Sequence, residues 1–280
     1  MNLLTKQESV KLWHSPELGN IELMHAKFVT QSFPPHSHEG FGVGIVEQGA
    51  LKFYYRGENV VASPGIINLV NPDEVHTGQA ATERGWIYRM FYFDADILQQ
   101  AASELSGSQE KIPFFQTGII HDNHLAHMIH SLHMALENPE LPVLETQSRF
   151  LLMLTHLIKR HADDPPALTT VGREHRCVNR IKEYIASHYH ENISIHQLAD
   201  VANLSPFHFI RVFRNHVGLP PHAFLKQFRL NRAKALISEG WKIADAAYGT
   251  GFTDQSHLSR HFKRIMGFTP GQYSNFIQDT

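Results

Sequence analysis

The order of apolar and polar residues changes character along this 280-residue chain. Up to residue 95, short apolar runs at 42–46, 50–56 and 65–70 alternate with Gly, Pro and Asn punctuation. That spacing predicts the strands of an all-β sandwich or barrel. An aromatic run over 86–93 is closed by Asp94 and Asp96. As a strand it puts Trp86, Tyr88, Met90 and Tyr92 on one face, and Ile87, Arg89 and Phe91 on the other. The period then lengthens. Leu125, Met128, Ile129, Leu132 and Leu136 share one helical face, and Phe150, Leu151, Leu154, Leu157 and Ile158 share another. Asp163-Asp164-Pro165-Pro166 breaks the pattern, so residues 162–173 read as a linker. Everything beyond it reads as helical. The expected architecture is two-domain: an N-terminal all-β barrel with helices packed on it (1–161), the linker (162–173), and an all-α domain (174–280).

An internal repeat dominates the helical part. Residues 198–205 lie 48 positions before 246–253, whereas Phe213 and Gly218 match Phe262 and Gly267 at an offset of 49. The second copy therefore carries one extra residue. Each copy has the parts of a helix-turn-helix. Ala199 or Ala247 sits where the first helix must approach the second closely. Asn203 or Gly251 occupies a turn that favours positive φ. Leu204 or Phe252 is an apolar plug, and Ser205 or Thr253 is placed to cap the second helix. That helix is expected to bury Phe209, Val212 and Phe213 in the first copy, and Leu258, Phe262 and Ile265 in the second. A single helix over 221–238 would join the copies and set both recognition helices in successive major grooves, about 34 Å apart.

Charge separates the same two regions. Residues 172–280 hold fourteen Lys or Arg against eight Asp or Glu, and residues 1–171 hold eleven against nineteen. The basic half suits a polyanion. Cys177 is the sole cysteine, which rules out an intrachain disulfide and a cysteine-based metal site. No apolar run reaches the roughly 20 residues that span a bilayer, and residues 1–7 are too polar for a signal peptide. A reducing cytoplasm is the expected location, with no membrane partner.

Residues 176–277 resemble the DNA-binding domain of the AraC/XylS family of bacterial regulators. The resemblance rests on Ile195-His196-Gln197-Leu198-Ala199, on Arg229 with Ala233 and Leu236, and above all on the run from Gly251 to Lys263 followed by Gly267-Phe268-Thr269-Pro270. Many members carry Arg shortly after that Pro, whereas here Tyr273 is followed by Ser274. Helical spacing exposes Phe207, His208, Ile210, Arg211 and Arg214 in the first copy. In the second it exposes Gln255, Ser256, Ser259, Arg260 and Lys263. Arg211 or Arg260 can chelate guanine, Gln255 can pair with adenine, and Phe207 can touch a thymine methyl. Ser205, Thr253 and Arg264 are assigned to phosphates.

Pro35-His36-Ser37-His38 and Asn71-Pro72-Asp73-Glu74-Val75-His76 resemble the cupin barrel found at the N-terminus of that family. Three uses fit His36, His38 and His76: metal ligation, hydrogen bonding to an organic ligand, and packing at the barrel mouth. Metal-binding cupins also want a Glu four or five residues after the second His, where Gly42 and Val43 stand. The ligand set is incomplete, so no metal and no cofactor are assigned. The resemblance implies that Trp86, Tyr88 and Met90 face a ligand cavity with these histidines. Arg89, on the opposite face, would then need an acidic partner or an exit to water; with the faces reversed, it becomes a carboxylate anchor for the ligand.

His121, His124, His127, His130 and His133 recur every third residue, which spreads them around most of a helix. They are expected to be solvated or at an interface. The 150–158 stripe either caps the barrel or, as the resemblance implies, pairs two subunits. The expected function is a DNA-binding transcription regulator controlled by a small-molecule effector. Its expected partners are double-stranded DNA, the effector, a second copy of the chain and RNA polymerase. The alternatives weighed are a metal-dependent cupin enzyme with an accessory DNA-binding domain, and a DNA-repair protein. The missing Glu opposes the first, and the lone Cys177 opposes the second.

Overall fold

The computed structural model describes residues 8–137, 141–168, 175–266 and 268–278. Residues 1–7, 169–173 of the expected linker and Gly267 lie outside them. Contacts divide the chain into two units, Met1–Leu141 with Arg149–Thr170, and Pro142–Ser148 with Val171–Thr280.

The alternating runs of the first unit form β1 (Ser9–Ser15), β2 (Ile21–Phe28), β3 (Ser32–His36), β4 (Phe41–Gly49), β5 (Leu51–Tyr55), β6 (Glu58–Ala62), β7 (Ile67–Val70), β8 (His76–Ala80), β9 (Trp86–Phe93) and β10 (Ile119–Ile120). Two antiparallel sheets result, ordered β1-β2-β9-β4-β7-β10 and β3-β8-β5-β6. Between them lies a core of Phe28, Val46, Leu51, Phe53, Trp86, Tyr88 and Met90 with their neighbours. Gly44 is required where β4 passes β9, because a Cβ there would sit 2.2 Å from both the Arg89 carbonyl and Met90 Sδ.

Three helices complete the unit. The helix α1 (Ala95–Ser106), which the sequence pattern did not reveal, starts after Asp94 and ends at Gly107 in the left-handed region. Then come α2 (Asn123–Ala135) and α3 (Val143–His161). Phe150 of α3 packs on Phe91 and Phe93 at ring distances of 6.5 and 6.1 Å. Leu154, Leu157 and Ile158 are buried with it. Of the two roles expected for this stripe, covering the sheet is the one its contacts show.

The second unit contains α4 (His175–His188), α5 (Ile195–Ala202), α6 (Pro206–Val217), α7 (Pro221–Ser238), α8 (Ile243–Gly249), α9 (Gln255–Met266) and α10 (Pro270–Gln278). Ser194 and Gln197 close a capping box at the start of α5, which satisfies two orphan N–H groups reciprocally. Asn203 and Gly251 hold φ of 58° and 80°, so the two turns are left-handed as the repeat implied. Ala199 and Ala247 are buried. The second copy closes on Ala246, Ala247, Phe252, Leu258 and Phe262, with Leu230, Ala233 and Ile237 of the connecting α7.

Candidate nucleic-acid interface and ligand cavity

The recognition helices of the two copies are α6 and α9. Ser205 caps α6, its hydroxyl accepting from His208 N. In α9 the cap is not Thr253. Asp254 accepts from His257 N at 2.7 Å, while Thr253 Oγ1 pairs with His257 Nδ1 at 3.0 Å. The extra residue of the second copy explains this correction. It falls at Thr253, so the offset changes from 48 to 49 there, and Asp254 becomes the counterpart of Ser205.

Exposure also corrects the contact set. Phe207 and Ile210 are buried, at 5% and 0% exposure, and cannot reach a groove. With Phe209, Val212 and Phe213 they widen the apolar arc of α6 beyond the stripe that spacing alone assigned to it. Ile265, expected in the core of the second copy, is 45% exposed. The remaining candidates divide unevenly. His208 and Arg211 are half-buried and Arg214 is exposed. Thr253, Gln255, Ser256, Arg260, Lys263 and Arg264 are all exposed, with Ser259 half-buried.

Along α9 a directed chain of hydrogen bonds runs beside these residues. Arg264 Nη2 donates to His261 Nδ1 at 2.9 Å, because a guanidinium can only donate. His261 Nε2–H then donates to His257 Nε2 at 2.9 Å, and His257 Nδ1–H to Thr253 Oγ1. Burial, with Lys226 nearby, pushes the His261 imidazole down to about 3, so the neutral tautomers this chain needs are the stable ones.

Arg229 fastens the two copies together. From α7 it donates Nε–H to the Tyr189 carbonyl at 2.6 Å and Nη2–H to the Glu191 carbonyl at 2.7 Å, both ahead of α5. Its guanidinium also lies where a Cβ on Gly251 would fall, 2.9 Å away, so the turn before α9 needs Gly for space as well as for φ. Burial lowers the Arg229 pKa to about 10, which still leaves it charged.

The first unit encloses a cavity of about 450 Å³ between its sheets. His36, His38, His76, Trp86, Tyr88 and Met90 all line it, together with Asn68 and Tyr92. Each histidine pairs its Nδ1 with a carbonyl two residues away: His36 with Pro34 at 2.8 Å, His38 with Gly40 at 2.7 Å and His76 with Glu74 at 3.0 Å. A carbonyl can only accept, so every Nδ1 carries a proton, and in a neutral ring the Nε2 is left as an acceptor. Burial pushes His76 down to about 4, and the neighbouring His36 and His38 add to the shift, so this ring is neutral near pH 7. Burial likewise raises Tyr88 well above the usual phenol range and Tyr92 to about 12, leaving both as neutral phenols.

A metal ion does not fit the three rings as they stand. Their centroids are 4.2, 5.0 and 6.5 Å apart, and their nitrogens do not converge as one ion's ligands must. Glu22 lines the same cavity, and at the position after His38 where a fourth ligand was expected, a Cβ on Gly42 would lie 3.3 Å from the His38 ring. Two other lining groups are unsatisfied. Trp86 Nε1–H and Asn68 Oδ1 are buried with no hydrogen-bond partner among the described residues. An orphaned buried donor or acceptor costs about 1–3 kcal/mol and calls for an explanation. Asn68 is a cavity residue that the sequence reading missed. The run 65–70 was read as a strand, and a lone Asn facing inward on it was the available signal.

Arg89 lies on the outward face of β9 and is 4% exposed. It donates to Glu47 at 2.6 Å, to Glu137, and through Nη1 to His133 Nδ1 at 3.2 Å. Burial alone would raise the Glu47 carboxyl, but hydrogen bonds from Arg89 and His130 hold it below its usual range. His133 donates its other nitrogen to the Met90 carbonyl at 3.2 Å, and burial beside Arg89 pushes it down to about 3. The sequence reading put His130 and His133 among solvated or interface histidines. Here both fasten α2 to the sheet, while His121, His124 and His127 are exposed.

A family model described as an AraC-like ligand binding domain matches residues 18–154, and one described as a helix-turn-helix domain matches 198–275. The HTH-type transcriptional regulator YbfI of Bacillus subtilis is 31% identical over 90% of this chain and 90% of its own length. This chain belongs to the AraC family of transcription regulators. The HTH-type transcriptional activator RhaS of an Enterobacter species is 24% identical over 85% of this chain and 86% of its own. Among solved structures, the AdpA DNA-binding domain in complex with a target DNA aligns with 36% of this chain and 93% of its own, at 26% identity and a TM-score of 0.35. As an AraC-type regulator the chain binds DNA through its helix-turn-helix domain, and it carries the family's ligand-binding domain ahead of it. No described helix is long and apolar enough to cross a membrane.

Proposed function

We propose that this AraC-family chain is a sequence-specific regulator whose operator affinity is set by a small amphipathic metabolite bound in the 450 Å³ cavity. The observation that carries the reading is the pair of orphaned groups, Trp86 Nε1–H and Asn68 Oδ1, in a largely apolar wall that also presents three imidazoles, Glu22 and two phenols. A ligand offering one acceptor and one donor would satisfy both. The three imidazole Nε2 atoms would accept from its hydroxyl or amine groups. Cavities of this size and mixture suit small organic ligands.

On the DNA side, Arg211 and Arg260 occupy equivalent positions of α6 and α9 and are assigned to bases. Ser205, Arg214, Thr253, Lys263 and Arg264 are assigned to phosphates, which set the register. His208, Gln255, Ser256 and Ser259 complete the contact surface. The effector acts by differential affinity for two arrangements of the protein. A second copy of the chain and RNA polymerase are the proposed protein partners. The relative RhaS is named an activator, which supports activation as the direction of control.

The reading is tested by thermal-shift screening of the full chain with small carboxylic acids, sugars and phenols. A compound that stabilises the wild-type chain should lose most of its effect in Asn68→Ala and Trp86→Phe, and should change affinity for the promoter fragment flanking the gene. A compound whose stabilisation survives both substitutions is bound elsewhere, and that result contradicts the assignment.

A further inference from the structure

Three metal-ligating side chains meet in the first unit, and none of them lines the barrel cavity. Asp122 caps α2, its Oδ1 accepting from His124 N and Leu125 N at 3.0 Å each. Its second oxygen faces α3. There Oδ2 meets His156 Nε2 at 3.0 Å and His161 Nε2 at 2.9 Å. The three donor atoms lie within 4.8 Å of one another. Among the described residues, no other group of three or more His, Cys, Asp or Glu side chains converges so closely. The side chains are mostly covered, at 10%, 18% and 19% exposure, so the group is not a solvated surface pair.

We propose that Asp122, His156 and His161 bind a divalent first-row cation of the zinc class, through Asp122 Oδ2 and the two Nε2 atoms. Two imidazoles and one carboxylate are the donor set that zinc takes at three-ligand sites with an open position. Bonds of about 2.0–2.1 Å put tetrahedral ligand atoms roughly 3.3 Å apart. The two observed nitrogen–oxygen edges need to open by only a few tenths of an ångström to admit the ion. For binding, each ring carries its proton on Nδ1 and turns the Nε2 lone pair to the metal. His124 is exposed with its ring 5.1 Å from that of His156, which makes it the nearest imidazole for the open position. Arg160 Nε lies 3.8 Å from the same Asp122 oxygen and competes with the cation, but its side chain is 65% exposed and can swing into water.

The site joins the first residues of α2 to the last of α3. His161 ends α3, directly ahead of residues 162–173. A cation bound here would stiffen that end of the unit and would act independently of a ligand in the barrel.

The test uses the full chain, freed of metal by dialysis against a chelator and titrated with zinc chloride by calorimetry and thermal unfolding. One equivalent should bind per chain at this site and raise the melting temperature. His156→Gln and His161→Gln should each weaken zinc binding at least tenfold. Asp122→Asn, which keeps an oxygen to cap α2, should do the same, while His36→Gln in the barrel should leave the affinity unchanged. Circular dichroism checks the fold of each variant, and three separate substitutions keep the test decisive if one misfolds. Two results overturn the proposal. One is a wild-type chain with no saturable zinc binding. The other is binding that persists at full affinity in all three site variants, which would move the ion to the barrel histidines or to the His257–His261 pair.

Discussion

The two helix-turn-helix copies share a plan and differ in what they offer to DNA. Both turns are left-handed and both first helices bury an Ala, so the backbone problem is solved the same way twice. The recognition helices then diverge. At equivalent positions α6 has Phe207, Ile210 and Val212, and α9 has Ser256, Ser259 and His261. The first helix buries all three of its residues, and the second keeps Ser256 exposed. Arg211 is half-buried, whereas Arg260 is exposed. A motif thus fixes where a helix sits, and the residues filling its outer face decide how much of it is left for recognition. The second copy has the larger share.

The largest effect is expected where the copies are joined. Arg229→Ala leaves the Tyr189 and Glu191 carbonyls without their donor and removes the guanidinium that packs on Gly251. Denaturant unfolding should show a loss of about 1–3 kcal/mol, because two part-buried carbonyls lose a charged donor. A loss below about 0.5 kcal/mol, within the neutral range of surface substitutions, would mean that the copies are held together some other way.

Next comes recognition itself. Arg260→Ala should cost about 1–3 kcal/mol on the preferred site and much less on random DNA if it reads a base. Arg211→Ala should cost less, because α6 presents less of its surface. Equal losses on both DNAs would make Arg260 a phosphate contact, and a larger effect at Arg211 would reverse the comparison between the copies.

The caps separate the copies more finely. Ser205→Ala should destabilise by about 1 kcal/mol, the usual worth of such a cap. Thr253→Ala should do less than Asp254→Ala in melting experiments, because Asp254 holds the His257 N–H. The opposite order would put the extra residue of the second copy elsewhere.

A pH dependence distinguishes the second copy from the first. His261 has a folded pKa near 3, so the unfolded chain binds the extra proton between about pH 6.5 and 3. Stability is therefore lost as pH falls through that window. Lys226, His257 and Arg264 deepen the shift, and Glu145 opposes it. His261→Val, which installs the residue found in the first copy, should flatten this part of the stability–pH curve. An unchanged curve would place the titration at His76 or His133.

Much of this was readable from residue order. Period two put Trp86, Tyr88 and Met90 on one face and Arg89 on the other, the resemblance implied that the first face lines the cavity, and Arg89 then met its carboxylate partners on the opposite side. The repeat gave both turns and the connecting helix. What escaped reading depends on three-dimensional neighbours. Spacing cannot tell how wide a buried arc becomes, so Phe207 and Ile210 were assigned outward and Ile265 inward. A one-residue insertion is invisible until a hydrogen bond chooses between Thr253 and Asp254. Asp122 meets His156 and His161 across 34 and 39 positions of sequence, and no local pattern announces that meeting. Glu47 and His133 were missed for the same reason.

The central claim is that the basic, duplicated unit reads a particular DNA site. A salt titration of the full chain on its own promoter fragment and on a random fragment tests this most directly. The account predicts binding to the promoter fragment at least about 10³-fold tighter, with log affinity falling by several units per unit of log salt as counterions leave. Equal and weak binding to both fragments would contradict it, leaving α6 and α9 as a non-specific polyanion surface.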